Sequence, residues 1–171
     1  MIKSISALSC VVLLGACATP AHVEVPANLK PGARESLLMI VPAKGVQVYE
    51  CRLDKGAALQ WTFVAPEAAL FDGRGNTIGQ HGAGPYWQAT DGSRIVGALK
   101  QRADAPDPAA IPWLLLSTKS NGPDGAFSNV SSIQRVNTVG GVAPATGCVT
   151  DSTGKTARIP YTADYYFFTN R

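Results

Sequence analysis

The fold is decided most clearly by the stretch Leu59-Gln60-Trp61-Thr62-Phe63-Val64. Apolar and polar side chains alternate along it, so that Leu59, Trp61 and Phe63 share one face. Successive side chains of a β-strand point to opposite faces, and this period of two predicts a half-buried strand. No segment shows an amphipathic helical pattern of real length, and a short turn within 26–36 is the nearest candidate.

Further short apolar segments precede and follow this strand, and Gly, Pro, Asn and Asp separate them. Repeated turn signals at strand-length spacing are typical of an all-β sandwich or barrel. We therefore expect one all-β domain with a β-sandwich or barrel-like sandwich architecture. Within it, Asp91-Gly92 predicts a tight two-residue hairpin turn that sets Trp87 opposite Val96 and Tyr86 opposite Gly97. The predicted strands are 36–41, 46–53, 59–64, 77–81, 86–90, 94–99, 111–117, 130–137, 155–161 and 165–169.

The first residues have the layout of a secretory signal. Lys3 gives a basic start, residues 5–14 are almost all apolar or small, and two small residues precede Cys17. The apolar core is too short to span a bilayer. A cysteine directly after the small residues predicts a bacterial lipoprotein, with cleavage before Cys17 and lipid on its thiol. Ordinary cleavage after Ala16 or Ala18 is the alternative.

This pattern divides the chain into a lipoprotein signal peptide (1–16), a lipidated Cys17 with a Pro- and Ala-rich tether (17–34), and an all-β domain (35–171). Removing the signal leaves 155 residues (171 − 16), and the formal charge of +3 falls to +2 because Lys3 is lost. So small a charge argues against nucleic acid as a partner and predicts membrane contact through the lipid on Cys17 alone. Ala18 is not the aspartate of an inner-membrane retention signal, so we expect an exported protein on the periplasmic face of the outer membrane.

Two cysteines, Cys51 and Cys148, belong to the expected mature domain. The bacterial periplasm is oxidising, and two thiols in an exported domain most simply form one disulfide. Metal ligation by the same pair is the alternative, but it needs further ligands, and the mature chain contains only His22 and His81. We therefore predict a disulfide and no metal site.

The densest cluster of chemically versatile residues is 81–93, which contains His81, Tyr86, Trp87 and Asp91. A functional interpretation is a shallow pocket in which His81 acts as acid, base or ligand, Asp91 assists it, and Tyr86 and Trp87 contact a bound molecule. We favour a structural interpretation, because Gly, Pro and Trp together mark turns and cores more often than sites: His81 bonds a neighbouring carbonyl at a strand end, and Trp87 belongs to the core. Arg135 is a further binding candidate, since with the Gly140-Gly141 turn it could hold an anion.

Several motifs together resemble a known family. They are Gly45-Val46-Gln47-Val48-Tyr49-Glu50-Cys51, Trp61 to Ala68, His81 through Gly84-Pro85-x-Trp87, Asp91-Gly92-Ser93, Ile111 to Leu116, Ile133 to Gly141, Pro144 to Cys148, and Pro160 to Tyr165. In order and spacing this pattern resembles the domain-of-unknown-function family 3455 of bacterial and fungal exported proteins. The resemblance implies no activity for any residue. It does imply that Cys51 and Cys148 occupy recurring family positions, in agreement with a disulfide.

The residues favour a non-catalytic role, namely a lipid-anchored envelope or ligand-binding domain without a cofactor. The alternative is a small hydrolase or metal-dependent enzyme with a site around His81 and Asp91. Redox or metal handling through Cys51 and Cys148 is a third class. With one histidine in the folded domain, a centre with several histidine ligands is impossible within one chain. The ligand itself is not encoded in any motif.

Overall fold

The computed structural model of the protein describes residues 24–171 and contains eight β-strands with two single-turn 3₁₀ helices. The predicted lipidation site, Cys17, lies outside the described residues. The strands are β1 (Glu35–Leu53), β2 (Leu59–Phe71), β3 (Thr77–Gly82), β4 (Tyr86–Ala89), β5 (Arg94–Ala103), β6 (Trp113–Ser120), β7 (Ser132–Gly140) and β8 (Thr156–Asn170). The 3₁₀ turns are Ala27–Leu29 and Thr150–Ser152. None of the helices within 24–171 is long and apolar enough to cross a membrane.

The eight strands form one antiparallel sheet that closes on itself as a barrel, in the order β1 to β8. Each strand pairs with its sequence neighbours, and β8 returns to pair with β1 from Glu35–Asn170 to Glu50–Thr156. The predicted all-β single domain is confirmed, and of the two architectures expected it has the barrel. Closure gives both edges of the sheet a partner, which an open sheet cannot do.

The structure merges two pairs of predicted strands. The predicted strands 36–41 and 46–53 are one strand, β1, which continues through Pro42. Pairing with β2 begins one residue later, at Ala43–Leu70, so Pro42 lies where β1 has a partner on one side only. In the same way 155–161 and 165–169 merge into β8.

The predicted register of the β4–β5 hairpin is wrong by one residue, because Trp87 pairs with Ile95 and Tyr86 with Val96. The amide of Gly92 donates to the carbonyl of Ala89, and that of Ala89 to the carbonyl of Ser93. The turn therefore has three residues and ends in Gly92 at φ 90°. The register change moves the indole ring of Trp87 over Gly97, where a Cβ atom would come within 2.8 Å of the ring.

One end of the barrel is filled. We call it the closed end, and it carries the connections 72–76, 90–93 and 121–131. Phe127 and Val130 of the last connection belong to the interior cluster, and Phe127 packs edge-on against Phe167 of β8 with ring centroids 5.0 Å apart. The opposite end carries 54–58, 83–85, 104–112 and 141–155, and Ile111 of the third connection also belongs to the interior cluster. We call it the open end because the short strands β3 and β4 do not extend to it.

The segment before β1 lies on the outside of the barrel. Leu29 is fully buried in a second apolar cluster with Trp113, Leu115 and Val136. The side-chain amide of Gln134 donates to the carbonyl of Leu29 at 2.6 Å. This outer layer explains why residues 113–116 are apolar on both faces, as the sequence indicates, although β6 belongs to a barrel wall.

A disulfide joins Cys51 at the end of β1 to Cys148 in the β7–β8 connection, as predicted. Two further bonds hold the same connection against the β1–β2 hairpin: Tyr49 Oη donates to the carbonyl of Gly141 at 2.6 Å, and Trp61 Nε1 donates to that of Thr146 at 2.9 Å. The long β1–β2 hairpin and this connection thus form one unit at the open end.

Candidate functional site

A cavity of about 320 Å³ lies inside the barrel toward its open end. Most of its wall is apolar, and its polar groups belong to His81, Arg135 and Tyr165. The complete lining is Phe63, Val64, Pro66, His81, Gly84, Pro85, Trp87, Leu114, Leu116, Arg135 and Tyr165. An apolar chamber with a few converging polar groups is the usual form of a small-molecule site.

The cavity exists because the β3–β4 hairpin is shorter than its neighbours. β3 pairs with β2 only over Ala68–Phe71, and β4 pairs with β5 only as far as Val96. Residues 59–67 of β2 and 98–103 of β5 consequently have a strand partner on one side only. Between the β3–β4 turn and the open end, the barrel wall is therefore interrupted between β2 and β5, and we call this interruption the side gap.

His81 forms part of the inner wall and is 4% exposed. Its ring stacks on the indole of Trp87 with centroids 4.3 Å apart, and it meets the ring of Tyr165 edge-on at 5.2 Å. Nδ1–H donates to the carbonyl of Tyr86 at 2.6 Å. Burial lowers the pKa of His81 to about 3, and the nearby charge of Arg135 acts in the same direction. The ring is therefore neutral near pH 7, with its proton on Nδ1 and a lone pair on Nε2.

Arg135 brings a positive charge to this wall. Its Nε and Nη2 groups donate to the carbonyl of Pro112 at 3.1 and 2.7 Å, which leaves three of the five guanidinium N–H donors unused by that carbonyl. None of the ion pairs within residues 24–171 includes Arg135. Burial raises the pKa of Tyr165, and the charge of Arg135 partly opposes that rise. A guanidinium beside an apolar chamber without a carboxylate partner is suited to pairing with an anion.

The structure separates Tyr86 from the other binding candidates. Its side chain lies on the outer face of the barrel. The ring covers Gly82, where a Cβ atom would come within 2.6 Å of it, and the guanidinium of Arg94 lies 4.0 Å from the ring centroid. Only its carbonyl reaches His81. Of the three binding residues proposed from the sequence, Trp87 and Arg135 meet at the cavity and Tyr86 does not.

Asp91 does not lie in the cavity wall with His81. It lies in the β4–β5 turn at the closed end, whereas Trp87, the strand partner of His81, lies two residues before the end of β4. Oδ1 accepts from the amide and hydroxyl of Ser93, and Oδ2 accepts from the amide of Ala126. These bonds, the Ser93 hydroxyl first, lower the pKa of Asp91. The carboxylate therefore fastens the 121–131 connection, and its hydrogen bonds contradict the alternative interpretation in which it assists His81.

Six residues that line the cavity are not among the site residues predicted from the sequence: Phe63, Val64, Pro66, Leu114, Leu116 and Tyr165. Tyr165 and Leu114 carry the inward parity of their strands, so the alternation of β6 and β8 was the available signal. Phe63 and Val64 lie at the register shift of the β1–β2 pairing, where Val48 pairs with Ala65 and Tyr49 with Phe63. The shift breaks the alternation of β2, so that both neighbours line the cavity. Residues 24–171 bring together no group of three or more His, Cys, Asp or Glu side chains that could hold a metal ion.

The family pattern is confirmed by comparison with known proteins. A family model described as a protein of unknown function (DUF3455) matches residues 31–169, which includes the whole barrel but for its last residue. No curated protein and no solved structure matches the chain. The chain therefore belongs to the DUF3455 family, whose function is not known.

Proposed function

We propose that this protein is a non-catalytic binding domain, anchored to the cell envelope by lipid on Cys17, that holds a small amphiphile with an anionic head group in the barrel cavity. The observation that carries the proposal is Arg135, a guanidinium without a carboxylate partner within 24–171, in the wall of a mostly apolar chamber. The anionic group of the ligand would pair with Arg135, and its apolar part would contact Trp87, Leu114 and Leu116.

The cavity volume limits the size of the ligand. About 320 Å³ corresponds to roughly ten water molecules in the liquid, at about 30 Å³ each. A molecule of about ten non-hydrogen atoms would fill it, which is the size of a medium-chain carboxylic acid. A longer chain would have to extend through the side gap.

The properties of His81 support binding rather than catalysis. A base with a pKa near 3 accepts protons poorly at neutral pH, because general bases work best when their pKa lies near the operating pH. The carboxylate of Asp91, which would orient the ring in the hydrolase alternative, is engaged at the closed end. The neutral Nε2 is better suited to accept a hydrogen bond within the cavity.

Octanoate is expected to bind more tightly than octanol, and Arg135→Gln should remove the difference. Loss of a charged hydrogen-bonding partner in a buried site costs about 2 kcal/mol or more, so octanoate should bind at least about 30-fold more weakly to the variant. Isothermal titration calorimetry on the exported Cys17→Ser chain measures both affinities without detergent. Arg94→Gln, which changes the arginine on the outer face of Tyr86, is the matched control and should bind as the parent does. Equal affinities of the parent for octanoate and octanol would contradict the proposal.

The lipid anchor has a separate test. Its support is the signal-like segment before Cys17, together with a disulfide of the kind that forms in an oxidising compartment. The mature protein from a bacterial membrane should partition into detergent, and its N-terminal peptide should be heavier by a diacylglycerol and an acyl chain. Cys17→Ser should abolish both properties. An unmodified mature N-terminus at Ala18 or later would refute the anchor.

A further inference from the structure

The open end of the barrel has an apolar surface. Ten large apolar side chains of the described part are at least 42% exposed, and three of them, Leu37, Leu38 and Ile40, lie on β1 toward the closed end. The other seven belong to the open half: Leu53, Phe63, Val64, Leu99, Val139, Val142 and Val149. Exposed apolar side chains gathered at one end indicate a contact surface, whereas scattered ones need no explanation. We call these seven residues the apolar rim.

The path of the N-terminal segment indicates what the rim contacts. The carboxylate of Glu35 accepts from the hydroxyl of Ser131 at the closed end. From Glu35 toward the N-terminus, the chain runs along the outside of the barrel toward the open end. Leu29 lies beside Gln134 and Trp113, and the side-chain amide of Asn28 donates to the carbonyl of Arg102, one residue from the end of β5. The segment therefore leads from the closed end to the open end.

The distance from this point to the expected lipid is short. Glu24 is seven residues after Cys17 in the sequence, and a fully extended chain covers at most about 3.6 Å per residue, or about 25 Å in total. A barrel held so close to its anchor, with its chain leaving at the open end, can bring that end to the bilayer surface. The hydrogen bond from Gln134 to the carbonyl of Leu29 holds the segment in this direction.

The charges of the open end are consistent with apolar contact. Its connections carry Lys55 and Lys155 against four aspartates, Asp54, Asp104, Asp107 and Asp151. Such a mixture provides no attraction to anionic lipid of the kind a polybasic segment gives. The contact would therefore rest on burial of the rim side chains among lipid head groups and acyl chains, and a zwitterionic membrane would suffice.

We infer that the apolar rim is a membrane-docking surface, which sets the side gap and the cavity entrance against the lipid surface that holds the anchor. This inference rests on the proposed anchoring through Cys17. In this orientation an amphiphile can pass between the bilayer and the cavity through the side gap without its apolar part crossing water. The rim side chains Phe63 and Val64 belong to both the surface and the cavity wall.

Fluorescence quenching tests the orientation directly. The lipidated protein, with its anchor verified by mass, is reconstituted into phosphatidylcholine vesicles after labelling Leu99→Cys or Val139→Cys with an environment-sensitive dye. Both side chains are 61% exposed and neither lines the cavity, so labelling should preserve the fold and keep the dye out of the ligand site. Arg74→Cys, in the β2–β3 turn at the closed end, is the matched control.

Doxyl-labelled phosphatidylcholine should quench the dye at positions 99 and 139 several-fold more than the dye at position 74. Equal quenching at all three positions, or stronger quenching at position 74, would overturn the docking surface while lipid on Cys17 and octanoate binding remain as measured. If Cys17 carries no lipid, the anchoring fails and the orientation fails with it. Failure of octanoate to bind would contradict only the proposed ligand.

Discussion

Acidification from pH 7 to pH 5 is expected to lower the free energy of unfolding by about 2 kcal/mol through His81 alone. Burial holds the pKa of this ring at about 3 in the folded protein, against 6.5 in the unfolded chain. Between these values the unfolded state binds the extra proton and the folded state does not, so stability falls as the pH falls. The contribution of His81 to stability is complete above pH 6.5 and is lost progressively as the pH falls to about 3. The total loss over this range is about 5 kcal/mol.

Denaturant unfolding at several pH values, followed by circular dichroism, measures this dependence. His81→Phe is the matched control, because it keeps an aromatic ring against Trp87 but cannot take up a proton. The variant loses the hydrogen bond to the carbonyl of Tyr86 and should be less stable at pH 7, yet its stability should be nearly constant between pH 7 and 5. The carboxylates with lowered pKa values, Glu35, Asp72 and Asp91 among them, act mainly below this interval. The same slope in parent and variant would show that His81 is not the group responsible.

Removal of the disulfide is expected to cost about 2–5 kcal/mol of stability. The bond closes a loop with a sequence separation of 97 residues, and closing so long a loop restricts the unfolded chain strongly. Replacing Cys51 and Cys148 together by Ala should therefore lower the free energy of unfolding by that amount and move the urea midpoint to a lower concentration. It should also loosen the 141–155 connection, so that the bond from Trp61 Nε1 to Thr146 is weakened and the fluorescence of Trp61 shifts toward that of an indole in water.

Reduction supplies the control for the double variant. Dithiothreitol should lower the midpoint of the parent to that of the variant and leave the variant unchanged. Non-reducing digestion of the parent should give one linked peptide pair containing both cysteines. An unchanged midpoint in the double variant, or complete labelling of both thiols in the native exported protein, would contradict the structural role of the bond.

The general architecture could be predicted because the strands of this chain carry strong local signals. The alternation of 59–64 predicts a strand there, and β2 contains it, although a register shift breaks the alternation at Phe63 and Val64. The aromatic run 165–168 predicts the last strand, and Tyr165 and Phe167 lie inside the barrel. The sequence does not predict the ends of β1 and β8, because Pro42 and Pro160 are turn signals in sequence but lie within these strands. A proline is tolerated where pairing leaves its missing N–H unneeded, and pairing is not visible before the fold is known.

The candidate site was only partly accessible from sequence because it depends on register. The Asp91-Gly92 pair suggested a two-residue turn, but the Asp91 carboxylate binds Ser93 and Ala126, which favours the longer turn seen here. That one added residue shifts the cross-strand partner of Trp87 by one position. The sequence indicates Arg135 as an anion-binding candidate, but its proximity to Trp87 and His81 depends on closure of the barrel, which brings β7 and β4 to one cavity.

The central claim is that the cavity holds an anionic amphiphile with its charge on Arg135, and a crystal structure of the protein with 8-bromooctanoate tests it most directly. The anomalous signal of bromine locates the far end of the chain without ambiguity. We predict bromine between Trp87, Leu114 and Leu116 or in the side gap, with the carboxylate within hydrogen-bonding distance of the Arg135 guanidinium. Bromine found only on the outer surface, or an empty cavity in crystals grown at saturating ligand, would contradict the claim.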